Sequence, residues 1–243
     1  MWSTKGAESL DGAACIVTGA SRGIGRAIAH DLAERGARVV LIARGATGLR
    51  ETADALGARA IPIVCDVADG SAVDTTIARI RDELGGAPDI FVNNAGAFTL
   101  APVETIDTAS FESALETNLV APLRFVRAFL PAMRSRGGHI VTIGSVADRH
   151  VFPGNGAYAA SKFGMRALHE VLRLETRGTG VRATLISPGP VDTPLWDPID
   201  PDHREGFTPR ARMLHASAVA AAVVYAVTQP REVNVDELRL SRS

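Results

Sequence analysis

The sequence predicts an α/β fold, a doubly wound single domain in which a seven-stranded parallel sheet lies between two layers of helices. Short runs rich in Val, Ile and Ala lack polar alternation, which is typical of strands that are buried on both faces. Longer segments with a helical spacing of apolar residues separate these runs, and the two patterns alternate along the chain. No internal repeat or change of composition marks a boundary, so residues 1–243 are taken as one domain.

The individual elements follow in chain order. Seven apolar runs predict the strands, at Ala13–Thr18, Arg38–Ala43, Ala60–Cys65, Asp89–Val92, His139–Ile143, Arg182–Ser187 and Val235–Leu240. The segments with helical periodicity include Ile24–Arg35, Ser71–Leu84, Ala109–Arg134, Gly156–Arg177 and Ser217–Thr228. Gly36 and Gly57 each precede a strand and indicate where helices end. Cys15 and Cys65 lie in apolar runs and are expected to be buried and reduced.

The composition argues against several classes of function. The formal net charge is −1, so no bulk attraction to nucleic acid or to an anionic membrane is expected. No apolar stretch reaches the roughly 18 residues that span a bilayer. The N-terminal extension, residues 1–11, lacks the apolar segment of a secretory signal, so we expect a cytoplasmic protein. The six histidines show no zinc-site spacing, and no metal is expected.

Residues 194–212 fit neither the strand nor the helix pattern. This segment holds four prolines and two large aromatic residues. A loop of this length in a compact domain is often functional, so we interpret it as a substrate-binding lid. Trp196 is expected to close over the substrate, with simple packing as the alternative. His150, with its neighbours Arg149 and Phe152, is a further candidate for the lining of the substrate pocket.

A glycine-rich segment joins the first predicted strand directly to the first helix. Its glycines, Gly19, Gly23 and Gly25, permit a tight turn and a close approach of the backbone to a phosphate. The helix that follows offers free N–H groups and a favourable dipole to an anion. The spacing is G-x-x-x-G-x-G, which differs from the G-x-G-x-x-G dinucleotide fingerprint. The segment therefore indicates a dinucleotide site, with a plain strand-to-helix turn as the alternative.

The end of the second predicted strand indicates which dinucleotide is bound. An acidic residue there would bind the ribose 2′-hydroxyl of NAD, but the chain has Ala43 and Arg44. Arg44 can pair with a 2′-phosphate, and Arg22 in the glycine segment can reach the same group, because the planar guanidinium suits phosphate. We therefore predict NADP(H) as the cofactor. The alternative is that both arginines are merely solvated.

Ser145, Tyr158 and Lys162 are the candidates for catalysis. Tyr158 and Lys162 are four residues apart near the start of a predicted helix, so their side chains share one face. A nearby ammonium stabilises a phenolate, so Lys162 is expected to lower the pKa of Tyr158 toward the working range. Ser145 can donate a hydrogen bond to the same substrate oxygen. The pattern Tyr-x-x-x-Lys alone is common on helix surfaces. It indicates a catalytic site only together with the other motifs.

Together these motifs resemble those of the short-chain dehydrogenase/reductase family, over nearly the whole chain. The matching segments are Thr18-Gly19-Ala20-Ser21-Arg22-Gly23-Ile24-Gly25, Asp66-Val67, Asn93-Asn94-Ala95-Gly96, Asn118, Ser145, Tyr158, Lys162, Pro188-Gly189 and Thr193. The resemblance implies a Rossmann-type fold. It also implies an NADP(H)-dependent oxidoreductase that interconverts a carbonyl and a secondary alcohol by hydride transfer.

The resemblance further implies a role for each matching residue. Tyr158 acts as general acid in reduction and general base in oxidation, Lys162 holds the nicotinamide ribose and tunes Tyr158, and Ser145 orients the carbonyl. Asn118 holds a water of the proton relay. The implied cofactor contacts are Gly19, Ser21, Arg22, Gly23, Ile24 and Gly25 in the glycine segment, Arg44 beside it, Asp66 and Val67 at the adenine, Asn93, Ala95 and Gly96 at the ribose, Pro188 and Gly189, and Val191 and Thr193 at the carboxamide.

Two departures from the family pattern bear on the substrate. Gly144 precedes Ser145 where many members have a second serine. Residues 229–238 lack the Gly-rich ending of many reductases of fatty-acid synthesis and are similar to the ending of enzymes that oxidise serine and other 3-hydroxy acids. Related 3-hydroxy acids are therefore candidate substrates. The enzymatic alternative is a 3-oxoacyl-[acyl carrier protein] reductase, and the non-enzyme alternative is a catalytically silent NADP(H)-sensing regulator.

The resemblance also implies an assembly. Family members are usually tetramers or dimers built from two long helices, which correspond here to Ala109–Arg134 and Gly156–Arg177. The apolar faces of these helices agree with such an interface, and they agree equally with packing inside one chain. We expect a homotetramer, or a homodimer.

Overall fold

A computed structural model of the protein describes residues 9–243, so residues 1–8 of the predicted N-terminal extension lie outside it. The strands are β1 (Ala14–Thr18), β2 (Arg38–Ala43), β3 (Ala60–Val64), β4 (Ile90–Asn93), β5 (Gly138–Ile143), β6 (Val181–Pro188), β7 (Val191–Asp192), β8 (Leu214–His215) and β9 (Glu237–Leu240). Seven of them form a parallel sheet in the order β3-β2-β1-β4-β5-β6-β9. The predicted doubly wound α/β fold is confirmed, and each predicted strand lies within two residues of an observed one.

Helices cover both faces of this sheet. They are α1 (Gly23–Glu34), α2 (Ala46–Leu56), α3 (Gly70–Leu84), α4 (Thr108–Leu115), α5 (Ala121–Arg136), α6 (Gly156–Thr176) and α7 (Ala216–Val227). One face packs against α1 and α7, and the other against α3 and α5. On the second face, the Phe91 ring of β4 lies 5.5 Å from Phe125 and 6.2 Å from Phe129, between ring centroids. Both cysteines are buried and free, as expected.

The prediction of one continuous helix over Ala109–Arg134 is wrong in its middle. A π-helical turn, Glu116–Val120, separates α4 from α5. In an α-helix the carbonyl of Asn118 would accept a hydrogen bond from residue 122, but Pro122 has no N–H to donate. The wider turn avoids that missing bond, and it places Asn118 in the buried interior.

The topology of the sheet sets the position of the site. The strand order reverses between β1 and β4, and the parallel register brings the carboxyl ends of β1, β4 and β5 to one edge. In open α/β sheets, ligands bind outside the carboxyl ends of the strands at such a reversal. Within residues 9–243, no helix is both long and apolar enough to cross a bilayer.

The predicted lid, residues 194–212, is a long loop whose two ends lie next to each other. Its two ends meet where β7 pairs with β8. Short 3-10 turns occur at Pro194–Trp196 and Arg210–Arg212, and the rest of the segment is irregular. Arg210, near the end of the loop, forms ion pairs with two residues near its start. Its guanidinium lies 2.9 Å from an Asp192 oxygen and 2.6 Å from an Asp197 oxygen.

Candidate active site

The glycine segment forms a cradle that has no room for side chains. Gly19 has a φ of 70°, and a Cβ on it would lie 2.8 Å from Asn94 Nδ2. A Cβ on Gly25 would lie 2.3 Å from the Gly19 carbonyl oxygen. The residue before α1, Arg22, is extended and provides no side-chain cap, so the first N–H groups of the helix have no capping side chain. A close turn that opens onto an uncapped helix N-terminus fits a pyrophosphate.

The loop that follows β4 is tied to this cradle. The hydroxyl of Thr18 accepts hydrogen bonds from the backbone N–H groups of Asn94 and Ala95, each at 3.0 Å. Asn93 lies at the end of β4, and its buried Nδ2 has no hydrogen-bond partner among the described residues. Val67, Asn93 and Ala95 line one narrow cleft. An orphaned buried donor in this cleft fits a ribose hydroxyl.

Two exposed arginines lie beside the cradle, and they are the residues predicted to bind a 2′-phosphate. Arg22 precedes α1, and Arg44 directly follows β2 with 81% of its side chain exposed. The Arg44 guanidinium lies 3.4 Å from an Asp66 carboxylate oxygen, an exposed pair of small energetic weight. The side chain therefore remains accessible to an anion. Ser21 and Ile24 lie on the same turn, and the Ser21 carbonyl is held by Arg26 at 2.6 Å.

The segment after β6 lies on the other side of the cradle. The N–H of Gly189 donates to the Leu240 carbonyl at 2.8 Å, which fixes the turn that begins at Pro188. Thr193 reaches the glycine segment, because a Cβ on Gly23 would lie 3.1 Å from its Cγ2 atom. Val191, which precedes Thr193 by two residues, is buried. The contacts of Val191 and Thr193 with a nicotinamide carboxamide stay a prediction.

Ser145, Tyr158 and Lys162 come together at the carboxyl end of β5. The buried Lys162 ammonium donates to the Ile143 carbonyl at 3.0 Å and lies 5.6 Å from the centroid of the Tyr158 ring. The hydroxyl of Ser145 is within hydrogen-bonding reach of the Tyr158 phenol. It also accepts from the Ala147 N–H at 3.1 Å, which orients the side chain at the start of a short 3-10 turn.

The electrostatics of this group differ from the expectation that Lys162 lowers the pKa of Tyr158. Burial raises the pKa of Tyr158 above its ordinary value, and the hydrogen bond with Ser145 opposes this rise only in part. Burial also lowers the pKa of Lys162 to about 8. The expected net direction was wrong because removal of the phenolate from water raises the pKa of Tyr158, and the negative charge of Asp148 raises it further. A protonated phenol beside a still-charged ammonium suits a proton donor.

Asn118 joins three parts of the site through its side chain. Its Oδ1 accepts from the Ala97 N–H at 2.8 Å, and its Nδ2 donates to the Ala97 carbonyl at 2.9 Å. The same Nδ2 donates to the Ser161 hydroxyl at 2.9 Å, which in turn donates to the Tyr158 carbonyl at 2.7 Å. Since the side chain is fully engaged, any water-holding role would fall to the main-chain carbonyl that Pro122 leaves without its α-helical donor.

Asp148 is a residue of the site that the sequence reasoning did not identify. It follows Ser145 by three residues, and its side chain is completely buried. Its carboxylate accepts a hydrogen bond from the Ser187 hydroxyl at 2.5 Å and one from the Arg149 Nε at 2.7 Å. Its negative charge acts on both Tyr158 and Lys162.

Three aromatic rings form a row that begins beside Tyr158. The Phe98 ring lies edge-on to Tyr158, with centroids 4.7 Å apart, and edge-on to Trp196 at 5.3 Å. Trp196 continues to Phe207 at 6.3 Å. The indole N–H of Trp196 donates to the Val191 carbonyl at 3.0 Å, which fixes its orientation. Phe98, Trp196 and Phe207, hereafter the aromatic wall, are only partly buried.

The other predicted pocket residues are exposed or paired with acids, and their part in the pocket stays a prediction. His150 and Phe152 are exposed, and Phe152 lines a shallow groove with Phe163 of α6. Arg149 is held between Asp148 and Glu237 and does not face the aromatic wall as a free cation. Gly96 lies close to the side-chain amide of Asn118, because a Cβ on it would lie 3.4 Å from the Asn118 Oδ1 atom; its place at the ribose stays a prediction.

One cluster of metal-type ligands occurs among residues 9–243. His30, Asp31 and Glu34 bring one ligand atom each to within 4.8 Å of the others, on the outer side of α1. Exposed acidic groups of this kind are common without an ion. The cluster therefore gives no reason to add a metal to the site.

Comparison with known sequences identifies the family. The family model described as short chain dehydrogenase matches residues 13–204. An uncharacterized oxidoreductase of Staphylococcus epidermidis is 35% identical over 226 residues, which cover 93% of this chain and 95% of the relative. The 3-oxoacyl-[acyl-carrier-protein] reductase FabG of Salmonella typhimurium is 34% identical over 221 residues, which cover 89% of this chain and 90% of that relative.

Solved structures agree with the sequence comparison. A metagenomic short-chain oxidoreductase in complex with NADP superposes with a TM-score of 0.84 at 31% identity, covering 97% of this chain and 99% of that one. The closed form of serine dehydrogenase complexed with NADP⁺ also has a TM-score of 0.84, at 30% identity, covering 93% of this chain and 94% of that one. The sheet, the glycine cradle and these likenesses agree, and the chain belongs to the short-chain dehydrogenase/reductase family of oxidoreductases.

Proposed function

We propose that the protein is an NADP(H)-dependent oxidoreductase that interconverts a ketone and a secondary alcohol, with Tyr158 as the group that gives and takes the proton. The observation that carries the proposal is the placement of the Tyr158 phenol beside the Ser145 hydroxyl and over the buried Lys162 ammonium. A bound nicotinamide would supply the hydride chemistry. The aligned hydroxyls supply the place where a carbonyl oxygen accepts a proton.

The protein's own groups divide the work at that oxygen. Ser145 donates a hydrogen bond that orients the carbonyl, and Tyr158 donates its proton as the oxygen gains negative charge. The raised pKa of Tyr158 keeps the phenol protonated at neutral pH, so it is ready to act as an acid. Lys162, whose ammonium lies under the phenol ring, stabilises the phenolate that is left behind.

The cofactor proposal rests on the two exposed arginines and on the relatives. Arg22 and Arg44 flank the end of the cradle that an adenosine ribose would occupy, and Ala43 replaces the acid that would select NAD. Two structurally similar family members contain NADP or NADP⁺. We propose NADP(H) over NAD(H) for this chain.

The aromatic wall favours a substrate with an apolar group next to its carbonyl carbon. Partly buried rings beside Tyr158 gain from covering by an apolar or aromatic substituent. A 3-hydroxy acid would instead need a cation for its carboxylate close to Tyr158, and Arg149 and Arg210 are each paired with two acids. Arg204 lies over the Phe207 ring, at the end of the wall that is farthest from Tyr158 along the row of rings. We therefore propose apolar ketones and their alcohols ahead of 3-hydroxy acids.

Reduction of a 3-oxoacyl group on an acyl carrier protein is the second candidate. The relative of that name from Salmonella typhimurium favours it, and an acyl chain is itself an apolar substituent. The two candidates differ in their need for the carrier. The test compares kcat/KM for the same 3-oxoacyl group on N-acetylcysteamine and on the acyl carrier protein. Similar values would show that docking of the carrier plays no part. A much higher value with the acyl carrier protein would show a carrier-dependent enzyme.

We also propose a cytoplasmic homotetramer, with a homodimer as the smaller alternative. The outer faces of α5 and α6 carry exposed apolar side chains, which are Leu123, Phe163, Val171 and Leu174. Apolar patches on the surface of a chain commonly mark interfaces. Light scattering of the purified protein measures the assembly, and a mass of one chain at micromolar concentration would contradict it.

The test of the function is a substrate panel with a tyrosine pair as variants. NADPH oxidation is followed with aryl and alkyl ketones, 3-oxo acid thioesters and 3-oxo acids, and NADP⁺ reduction with the matching alcohols. The chain has two tyrosines, so Tyr158→Phe can be compared with Tyr225→Phe, whose ring is 54% exposed on α7. We expect Tyr158→Phe to lose at least about a hundredfold in kcat. Full turnover by Tyr158→Phe, or no turnover of any substrate by the wild type, would contradict the proposed function and favour the sensing regulator.

A further inference from the structure

The segment that follows β5 contains a line of four charges that runs from the sheet edge to the catalytic helix. The Arg149 guanidinium lies 2.7 Å from an Asp148 oxygen and 2.5 Å from a Glu237 oxygen on β9. The Lys162 ammonium on α6 lies close to the same stretch of chain, because it donates at 3.0 Å to the carbonyl of Ile143, which directly precedes Gly144. The two carboxylates balance the two cations. A carboxylate with no exposed surface is retained in a fold only when its partners are built around it.

Gly144 provides the space for this carboxylate. A Cβ on Gly144 would lie 2.9 Å from the Asp148 Oδ2 atom and 2.9 Å from the Ser187 hydroxyl oxygen. Neither atom is the free end of a flexible surface side chain, because the two are hydrogen-bonded to each other at 2.5 Å. Many family members have a serine at the position of Gly144. The glycine found here is thus explained by the buried Asp148 carboxylate next to it. The volume that a serine side chain would occupy is filled by a carboxylate.

The direction in which this charge acts follows from Coulomb's law in a poorly screened interior. A negative charge beside the Tyr158 phenol disfavours the phenolate, and the same charge favours the ammonium of Lys162. Both groups show this effect, since Asp148 raises the pKa of each. Glu237 is separated from them by Arg149, and Arg149 partly offsets Asp148 from the opposite side.

We propose that Asp148 is a positioning residue for the reaction: its buried carboxylate, admitted by Gly144, holds Lys162 as the ammonium and Tyr158 as the neutral phenol. This inference rests on the proposed function, in which the phenol is the proton donor. Asp148 touches neither cofactor nor substrate in this arrangement. It acts through the charge state of the pair that does, and so it sets the pH range in which the pair donates a proton.

The test is the isosteric, uncharged variant Asp148→Asn, with Asp107→Asn as the matched control. Asp107 is an exposed N-cap of α4, and asparagine caps a helix as well as aspartate does. In the direction of alcohol oxidation, kcat/KM rises with pH as the pair of Tyr158 and Lys162 loses a proton. We expect this rise to move to lower pH by about one unit in Asp148→Asn and to stay in place in Asp107→Asn.

A second readout needs no turnover. In a Tyr225→Phe background the only remaining tyrosine is Tyr158, so ultraviolet absorbance of the phenolate reports its ionisation alone. At pH 10 we expect a severalfold larger phenolate signal when Asp148→Asn is added. If the wild type turns over no substrate, the proposed function fails while this titration still decides the role of Asp148.

A third pair of variants separates charge from packing. Gly144→Ser alone should lower the thermal unfolding temperature, because its side chain meets the carboxylate. Gly144→Ser combined with Asp148→Ala should recover part of that loss, since the close contact with the carboxylate is removed while the one with the Ser187 hydroxyl stays, and it should keep the phenolate signal high at pH 10. This double variant also serves if Asp148→Asn does not fold. A wild-type pH profile and phenolate signal in a folded variant without the carboxylate would overturn the proposal.

Discussion

Replacing either of two buried histidines should reduce the loss of stability that the protein suffers on mild acidification. His139 on β5 places its Nε2 atom 2.7 Å from the Thr184 hydroxyl, and His169 on α6 places its Nδ1 atom 3.0 Å from the Thr142 hydroxyl. Both rings are almost fully buried. The second nitrogen of each ring has no hydrogen-bond partner among the described residues, so a proton added there would gain no hydrogen bond. Glu170 and Asp236 attract a charge on His169, but burial outweighs them.

The magnitude follows from the two pKa values. Burial is the main cause that lowers the pKa of His139 from 6.5 to about 3, and burial likewise lowers that of His169 to about 4. The unfolded chain therefore binds protons at these rings below pH 6.5, and the folded chain does not. Stability is complete above pH 6.5 and falls as the pH drops toward the folded values. At pH 5 each histidine costs about 2 kcal/mol.

The assay is thermal unfolding at pH 7 and pH 5 for the wild type, His139→Gln and His169→Asn. The amide of glutamine reaches the position of Nε2 and that of asparagine the position of Nδ1, so each variant can keep its bond to threonine. On going from pH 7 to pH 5, each variant should lose about 4–8 °C less in Tm than the wild type. His30→Gln, at an exposed position of α1, is the control and should behave as the wild type. The reasoning is refuted if both variants show the full wild-type loss.

Two further outcomes concern the cofactor cradle. Gly25→Ala would place a methyl 2.3 Å from a backbone oxygen that cannot move aside, so we expect NADPH binding to be lost in calorimetry. Gly45→Ala, whose Cβ would meet nothing within 4 Å at an ordinary φ of −81°, should keep it. Arg44→Ser should weaken NADPH binding about tenfold, the worth of one charge-assisted hydrogen bond, and leave NADH binding unchanged. An equal loss for both cofactors would show that Arg44 does not contact the 2′-phosphate.

The fold was accessible from the sequence because buried parallel strands leave an unbroken apolar pattern. Each predicted strand was found within two residues of its position, and the helices around the cradle began and ended close to where they were expected. Both the Gly19–Gly25 turn and the Tyr158–Lys162 spacing depend on local geometry, which the order of residues determines. Such features can be predicted from a single chain.

The features that were missed depend on contacts between distant residues. The π-helical turn could not be predicted from apolar periodicity, because the periodicity continues through it. Pro122 was a usable sign, since it cannot donate the α-helical hydrogen bond to the Asn118 carbonyl. Asp148 lies in a polar stretch that looks like a surface loop, and its burial depends on Ser187, 39 residues away. The unusual Gly144 was the one local sign of it. The direction of the Tyr158 pKa shift was missed for the same reason, since burial is a property of the whole fold.

The orientation of Trp196 gives the protein an optical reporter of its own. The chain has two tryptophans, and the other, Trp2, lies outside the described residues. In a Trp2→Phe background, all indole emission would come from the ring that contacts Phe98 and Phe207 above Tyr158. Any molecule that enters between residues 194–212 and Tyr158 would change the surroundings of that indole. Its emission would then measure occupancy of the pocket directly, before any substrate has been identified.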